Sequence, residues 1–163
     1  MSEHYAGDMI VNLTRLPSPP TLPEGVSVRR ALVVDHGRII AFVREQFGEG
    51  WVGETEVTLD ACPTRCMIAV RAGEIVGFAC YDAVAKDYFG PIGVKAEMRG
   101  TGVGAALLLA TLAQMRADGY GYAIIGWVDD ASGFYEKVVG ARYIPGGEPK
   151  NTVYSQLARF SGQ

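Results

Sequence analysis

Three closely spaced glycines after an arginine, in the segment RGTGVGAALLL, are the residues best suited to bind a charged group. Arg99 precedes the set, which consists of Gly100, Gly102 and Gly104. A strand that enters such a turn and continues as a helix leaves unpaired N–H groups at the helix N-terminus, where the helix dipole adds positive potential. Glycine lets the backbone approach an anion, and Arg99 supplies a charged donor. The spacing is typical of a phosphate site, although the same glycines also suit an ordinary tight turn.

Two common phosphate-binding loops do not fit this spacing. The P-loop of nucleotide hydrolases needs Gly-Lys-Ser/Thr, whereas two alanines follow Gly104. The Rossmann motif is G-x-G-x-x-G after the first strand, whereas this turn reads G-x-G-x-G and lies late in the chain. Neither loop type explains the turn.

The segments around the turn predict strands and helices in an order that makes a mixed sheet. β-branched alternation and apolar residues at helical spacing are the signals. Strands are predicted at 26–34, 65–71, 74–84, 88–96 and 122–128, followed by a closing pair of strands at 141–145 and 151–158. Helices are predicted at 36–48, 102–118 and 131–139, with a short irregular helix in 49–63. Asp35 is the predicted N-cap of the first helix. Hairpins followed by a β-α-β unit indicate an α/β fold with helices covering the sheet.

Glycine and proline interrupt one predicted strand. The sequence Gly-Pro-Ile-Gly occupies positions 90–93 within the strand at 88–96. Such residues favour a bulge, which leaves backbone polar groups unpaired by the sheet.

The N-terminal residues are predicted to be separate from the main body. Residues 16–25, LPSPPTLPEG, form a proline-dense stretch that follows a short apolar arm at 9–13. We therefore divide the chain into an arm and linker at 1–25 and a domain at 26–163. The arm is expected to be either an added edge strand or a partner-binding tail.

Composition excludes several classes of function. A chain of 163 residues with net charge −3 is expected to form one domain without a cluster of basic residues for nucleic acid. No apolar span is long enough to cross a membrane. Three cysteines fit reduced thiols in the cytoplasm, and Cys62 and Cys66 have only His4 and His36 as imidazole companions, so no metal site is expected.

The segment VKAEMRGTGVGAALL resembles the acyl-CoA pyrophosphate-binding motif of the GNAT superfamily of N-acetyltransferases, R/Q-x-x-G-x-G/A. Arg99, Gly102 and Gly104 occupy the motif positions. The similarity continues through YAIIGWV and FYEKVVGARYI, and the order of elements from Val26 onward also matches. The resemblance implies a central, mostly antiparallel mixed sheet of about seven strands flanked by helices. In that fold the fourth and fifth strands, counted from Val26, splay apart.

The same resemblance implies acetyl-CoA as cosubstrate and assigns residues to it. Ile92, Gly93 and Val94 would form the edge that holds pantetheine, and the Val94 amide would contact the thioester carbonyl. The pyrophosphate would be held by the turn, whose residues are Arg99, Gly100, Thr101, Gly102, Val103, Gly104 and Ala105. Tyr135 aligns with the tyrosine that protonates the departing CoA thiolate, a role that a phenol can fill.

The implied activity is transfer of an acetyl group to a primary amine by direct attack in a ternary complex, with a small-molecule amine favoured over a protein. One alternative is a non-catalytic acyl-CoA-binding sensor, because Val128 stands where the family often has asparagine. Another is an interaction module on the same fold, whose N-terminal arm would add to the sheet of a partner. A homodimer is compatible with each of these.

The general base and the acceptor pocket are left open by the sequence. Water is one candidate base, and the carboxylate candidates are Asp82, Asp87, Glu97, Asp129 and Asp130. Trp51, Glu54 and Trp127 are the candidates for lining an acceptor pocket, although the tryptophans also suit ordinary packing.

Overall fold

Seven strands form a single sheet in the computed structural model, which describes residues 5–158. In chain order they are β1 Gly7–Asn12, β2 Val26–Arg30, β3 Cys66–Arg71, β4 Glu74–Tyr81, β5 Tyr88–Val94, β6 Tyr122–Val128 and β7 Arg142–Tyr143. Their order across the sheet is β2-β3-β4-β5-β6-β1-β7. Adjacent strands are antiparallel except β5 and β6, which are parallel. The prediction of a mostly antiparallel mixed sheet is confirmed.

Helices cover both faces of this sheet. Within the described residues they are α1 His36–Phe47, α2 Val52–Leu59, α3 Val103–Ala117 and α4 Ser132–Val139. Because successive strand residues point to opposite faces, the core divides in two. On one side α1 and α2 bury Ile68 and Phe78, and on the other α3 and α4 bury Val11 and Ile125. In the described part of the chain, no helix has the length and apolar character needed to cross a membrane.

The N-terminal strand lies inside the sheet, between β6 and β7. Met9 pairs with Ile125 on one side and with Tyr143 on the other. Met9, Val11 and Leu13 belong to the same buried core as α3. An added strand was expected, but its expected place at an edge is wrong. The reason is that its pairing partners are more than a hundred residues away, so local sequence gives no sign of them.

The second strand of the predicted closing pair does not form. Residues Pro149–Asn151 and Val153–Gln156 are 3₁₀ helices instead. Their backbone bonds are local, such as Asn151 N–H to the Glu148 carbonyl and Ser155 N–H to the Thr152 carbonyl. Local turns satisfy this segment, so it does not need a neighbouring strand.

Asp35 also differs from its predicted role. Strand β2 ends at Arg30 because residues 33–35 form a 3₁₀ turn. The Asp35 carboxylate caps no helix N–H and instead accepts hydrogen bonds from both Arg29 Nη atoms, at 2.8 and 3.1 Å, and from Leu32 N at 2.9 Å. Because of the Arg29 hydrogen bonds, the pKa of Asp35 lies below its usual value.

Candidate active site

The two parallel strands separate after a short contact. Tyr88 pairs with Ile124 and Phe89 with Ile125, and these are the pairs that join β5 to β6. Beyond them β5 continues to Val94 and β6 to Val128. The predicted splay of these strands is therefore confirmed, and it opens a gap in the middle of the sheet.

A bulge in β5 lies directly at the point of separation. On β4, Ala79 pairs with Ile92, but two residues later Tyr81 pairs with Phe89. Three steps along β5 therefore oppose two along β4, so β5 holds one extra residue around 90–91. The predicted interruption of this strand is confirmed. The extra residue bends β5 away from the sheet.

A second bulge, which was not predicted, lies opposite in β6. On β1, Met9 pairs with Ile125 and Gly7 with Val128. One extra residue therefore lies in β6 around 126–127, just past its last pair with β5. Both strands bend where their contact ends, which accounts for the gap between them.

The glycine turn presents its amides at the start of α3. Gly102 adopts φ +92°, and Gly100 adopts φ +76°, which is the left-handed region that disfavours other residues. The first helical bond runs from Ala106 N–H to the Gly102 carbonyl at 3.0 Å. Within residues 5–158, the amides of positions 100–105 have no hydrogen-bond acceptor. The turn is therefore a set of free donors at a helix N-terminus, as an anion site requires.

Neighbouring residues connect this turn to the end of β5. Arg99 is exposed, and its Nε donates to the Val94 carbonyl at 3.4 Å. A Cβ added at Gly104 would lie 3.6 Å from Val94 and 3.7 Å from the Phe134 ring. Ile92 and Val94 are half-buried and pack on the core below α3. The structure thus brings the predicted turn residues close to the predicted edge of β5.

Tyr135 lies on the same side of the sheet. It is 6% exposed, and its ring packs edge-on against Phe89 at 6.2 Å and Phe134 at 5.2 Å between centroids. Phe89 is the last β5 residue paired with β6, so Tyr135 lies beside the point of separation. Burial raises the pKa of the Tyr135 hydroxyl, which has no hydrogen-bond partner among the described residues. Phe134 was not predicted as a site residue, yet it connects Gly104 with Tyr135.

The opposite face of the gap is organised by a buried carboxylate. Asp8 is 3% exposed and accepts hydrogen bonds from the Tyr88 hydroxyl and from Trp127 N, both at 2.9 Å. Trp127 lies in the β6 bulge with φ +46°, a conformation that costs roughly 1–3 kcal/mol for a residue other than glycine. Burial, with the Asp8 hydrogen bond, raises the pKa of Tyr88 to about 12. Asp8 was not predicted; its signal is a lone charge inside an apolar strand.

Three aromatic residues meet on this face, and we call them the aromatic triplet: Tyr88, Trp127 and Tyr154. The ring centroid of Tyr154 is 5.2 Å from that of Trp127 and 6.5 Å from that of Tyr88. A Cβ added at Gly126 would lie 2.2 Å from the Tyr154 hydroxyl oxygen, so glycine is needed beneath it. Burial raises the pKa of Tyr154, and the charges of Asp8 and Glu54 raise it further.

The candidates for an acceptor pocket divide between two places. Glu54, on α2, is half-buried, which raises its pKa, and its charge reaches Tyr154. Trp127 belongs to the aromatic triplet. Trp51 instead packs against Phe47 and Phe78, at 5.3 and 6.1 Å between centroids, as part of the core under α1 and α2.

The candidate bases are spread over the molecule. Asp82 accepts hydrogen bonds from the Tyr120 hydroxyl and from Asp87 N, both at 2.8 Å. Asp82 and Asp87 lie between β4 and β5, and Tyr120 follows the C-terminal end of α3, a helix of 15 residues and thus about 22 Å long whose other end carries the glycine turn. Burial raises the pKa of Asp87.

The other candidate bases lie elsewhere. Glu97 forms an ion pair with Lys95 at 3.1 Å. Asp129 and Asp130 are exposed after β6. Within the described residues, no group of three His, Cys, Asp or Glu side chains could hold a metal ion.

The sheet order, the separated parallel strands and the glycine turn together define the acetyltransferase class of α/β proteins. The chain belongs to the acetyltransferase (GNAT) family, whose model matches residues 38–141. It is 36% identical over 141 residues to the mycothiol acetyltransferase of Thermobispora bispora, an alignment that covers 73% of this chain and 46% of the relative. The chain thus spans about half the length of this relative.

Solved structures show the same fold. A GCN5-related N-acetyltransferase from Sphaerobacter thermophilus superposes with a TM-score of 0.68 at 23% identity, over 85% of this chain and 48% of that one. The glucosamine N-acetyltransferase region of a fungal multi-domain GH3 β-N-acetylglucosaminidase gives 0.68 at 14% identity, over 88% of this chain and 20% of that one. At such identities the likeness concerns the fold alone.

Proposed function

We propose that this chain is an N-acetyltransferase that transfers the acetyl group of acetyl-CoA to a primary amine, preferably a small molecule, by direct attack in a ternary complex. One observation carries the proposal. The free amides of positions 100–105 lie at the N-terminus of α3, next to the end of β5, where the sheet opens. Membership of the acetyltransferase (GNAT) family supports the same reaction.

The residues present suit the cosubstrate. Free N–H groups at a helix N-terminus match the negative charge of a pyrophosphate, and exposed Arg99 adds a cation beside them. Ile92, Gly93 and Val94 follow the β5 bulge and offer an edge of backbone for the pantetheine arm. Acetyl-CoA supplies the activated acetyl thioester.

Tyr135 provides the proton that the reaction must return to sulfur. An uncharged amine that attacks the thioester carbonyl forms a C–N bond and breaks the C–S bond. The nitrogen then loses one proton, which water or one of the candidate carboxylates accepts, and the thiolate gains one. The raised pKa of Tyr135 keeps its hydroxyl protonated at neutral pH, so it can donate a hydrogen bond or its proton to the sulfur and recover a proton from solvent.

Replacing Tyr135 by phenylalanine tests this role. We expect Tyr135→Phe to bind acetyl-CoA with unchanged affinity but to lower kcat by about 100-fold or more, because only the proton donor is removed. Thermal shift with acetyl-CoA measures binding, and thiol release with a panel of amines measures turnover. Tyr122→Phe is the matched control, because Tyr122 is 55% exposed on β6 and should leave both unchanged.

Each contrary result has a distinct meaning. Unchanged turnover in Tyr135→Phe would remove the acid role from this residue. Wild-type protein that acetyl-CoA does not stabilise would contradict the proposal as a whole. Stabilisation by acetyl-CoA without thiol release for any amine would indicate the non-catalytic CoA-binding alternative.

A further inference from the structure

The proline-dense residues 16–25, which we call the strap, run beside α3 and reach the glycine turn. Strand β1 precedes the strap and β2 follows it. Towards the C-terminal end of α3, Arg116 Nη1 donates to the carbonyl of Leu13, just before the strap, at 3.4 Å. At the N-terminal end, a Cβ built on Gly102 would lie 3.6 Å from the Pro20 ring. The chain from β1 to Pro20 therefore contacts α3 near both of its ends.

Both ends of the strap are anchored in the fold. Before it, Leu13 is fully buried and donates its backbone N–H to the Gly121 carbonyl at 3.0 Å. After it, Val26 begins strand β2. Within it, the half-buried side chains of Leu16 and Leu22 pack against the core. The strap is thus held at both ends and along its length.

The length of the strap matches the length of the helix. Three of its first five residues are proline, which fixes its own φ and keeps the preceding residue extended. Leu16 has φ −70° and ψ 134°. From Leu13 to Pro20, the 3₁₀ turn and the extended residues together cover about 20 Å. Helix α3 rises about 21 Å from Gly102 to Arg116. The strap therefore has little slack between its contacts with α3, and the buried Leu13 limits where Pro20 can lie.

Between these contacts the strap stands away from the helix. A cavity of about 430 Å³ lies beneath it, and its walls include Leu22 and a row of small residues on α3, namely Ala106, Ala110 and Ala113. The contact of Pro20 with the glycine turn is therefore separate from the packing along the rest of α3. A change at Pro20 should leave that packing intact.

The glycine turn depends on other elements for its order. Glycine has more backbone freedom than any other residue, and in the described part of the chain the amides of positions 100–105 donate to no acceptor. Ordering a free backbone on binding costs conformational entropy and weakens affinity. Gly104 faces Val94 and Phe134, whereas Gly102 faces Pro20. Contacts from β5, α4 and the strap thus hold the turn before any ligand binds.

We propose that Pro20 is a positioning residue for the cosubstrate. Its ring holds Gly102 in the left-handed conformation, which keeps the free amides of the turn in place for the pyrophosphate. Pro20 acts through Gly102 and contacts no reacting atom. The identity of the ligand rests on the proposed acetyltransferase function, whereas the ordering of the turn does not.

Replacing single prolines of the strap by glycine tests this role. Pro20→Gly removes the ring beside Gly102 and frees the backbone at that position. We expect the Kd for CoA and the KM for acetyl-CoA to rise about fivefold, with kcat unchanged at saturating acetyl-CoA. Calorimetric titration with CoA measures the Kd, and thiol release with a panel of amines measures KM and kcat.

Pro17→Gly is the matched control. Pro17 is also exposed, so both variants should fold, and the substitution adds the same backbone freedom three residues before the contact. Its Kd and KM should change less than about twofold, because the atoms nearest to a Cβ built on Gly102 belong to Pro20 and Thr21. A proline with a structural role alone would lower the melting temperature and leave the KM unchanged.

A measurement without ligand separates this proposal from the proposed function. Relaxation of the amide ¹⁵N nuclei reports the order of the backbone at positions 100–105. In Pro20→Gly the order parameters there should fall from about 0.85 to about 0.6, and in Pro17→Gly they should keep the wild-type values.

Two results would overturn the assignment of Pro20. One is that Pro20→Gly and Pro17→Gly have the same order parameters in the turn, and the other is that they bind CoA with the same affinity. If the wild-type protein binds no CoA, the proposed function is contradicted, and the order parameters alone decide whether Pro20 holds the turn.

Discussion

Buried carboxylates hold two of the irregular backbone segments of this protein. Asp8 accepts the Trp127 N–H in the β6 bulge, and Asp35 accepts the Leu32 N–H where the chain leaves β2. In each case the acid takes the place of a strand partner that the irregular backbone lacks. Individual side chains, rather than the sheet alone, therefore fix the shape of the chain at these positions.

Asp35 should make stability depend on pH. Arg29 lowers its pKa in the folded state, so its contribution is present above its unfolded pKa and is lost as pH falls through the lower folded pKa. We expect Asp35→Asn to lower the free energy of unfolding by about 1–3 kcal/mol at pH 7, with the deficit shrinking towards about pH 2.5. Urea unfolding at both pH values measures this.

Asp60→Asn is the control for that experiment, because Asp60 is exposed at the end of α2. It should change the unfolding free energy little at either pH. If Asp35→Asn lowered the free energy of unfolding by the same amount at both pH values, the ion pair of Asp35 with Arg29 would not be the source of the pH dependence.

At the scale of elements, the features that could be predicted from the sequence are those that depend on residues close together in the chain. The order of elements from β2 to α4, the bulge in β5 and the glycine turn all have signals within a few residues, such as the glycine and proline at 90–91. The bulge in β6 has a weaker signal, the single Gly126 within the otherwise continuous apolar segment YAIIGWV. Its cause is Asp8, 119 residues earlier in the chain.

The same reasoning explains which candidate site residues the sequence could indicate. The turn and Tyr135 come from motifs that are contiguous in sequence. The aromatic triplet joins β5, β6 and the C-terminal 3₁₀ helix, and only the folded chain brings them together. The sequence indicated Trp127 and Glu54 as candidates for lining an acceptor pocket, but no sequence pattern connects either residue with Tyr154.

The start of α3 depends on one backbone conformation. Gly102 has φ +92°, and a Cβ there would meet no atom closer than 3.6 Å, so conformation rather than space requires glycine. We expect Gly102→Ala to lower the free energy of unfolding by about 1–2 kcal/mol. Gly37→Ala is the matched control: Gly37 is exposed in α1 with ordinary φ, and alanine should stabilise it by about 0.5 kcal/mol. Thermal and urea unfolding measure whether each variant is less or more stable than the wild-type protein. Equal destabilisation by the two variants would contradict the explanation from the positive φ of Gly102.

At the scale of the whole molecule, both ends of the described chain meet at the gap in the sheet. Strand β1 contributes Asp8, and the C-terminal 3₁₀ helix contributes Tyr154. Asp8 also ties these ends together, because its backbone N–H and carbonyl bond to Gly147 and Ile144. The fold thus places residues from near each end of the chain around one candidate site.

If β1 is an integral part of the core, removing a buried side chain from it should lower the free energy of unfolding as much as removing one from a central helix. Met9 is 0% exposed, and Ile10 next to it is 36% exposed on the other face of the strand. We expect Met9→Ala to lower the free energy of unfolding by about 2–5 kcal/mol, since it removes a fully buried side chain. Ile10→Ala should cost about 1 kcal/mol or less. Urea unfolding measures both, with far-ultraviolet circular dichroism to confirm that each variant is folded. Similar small losses in the two variants would mean that β1 is a loosely attached arm whose removal leaves the core intact.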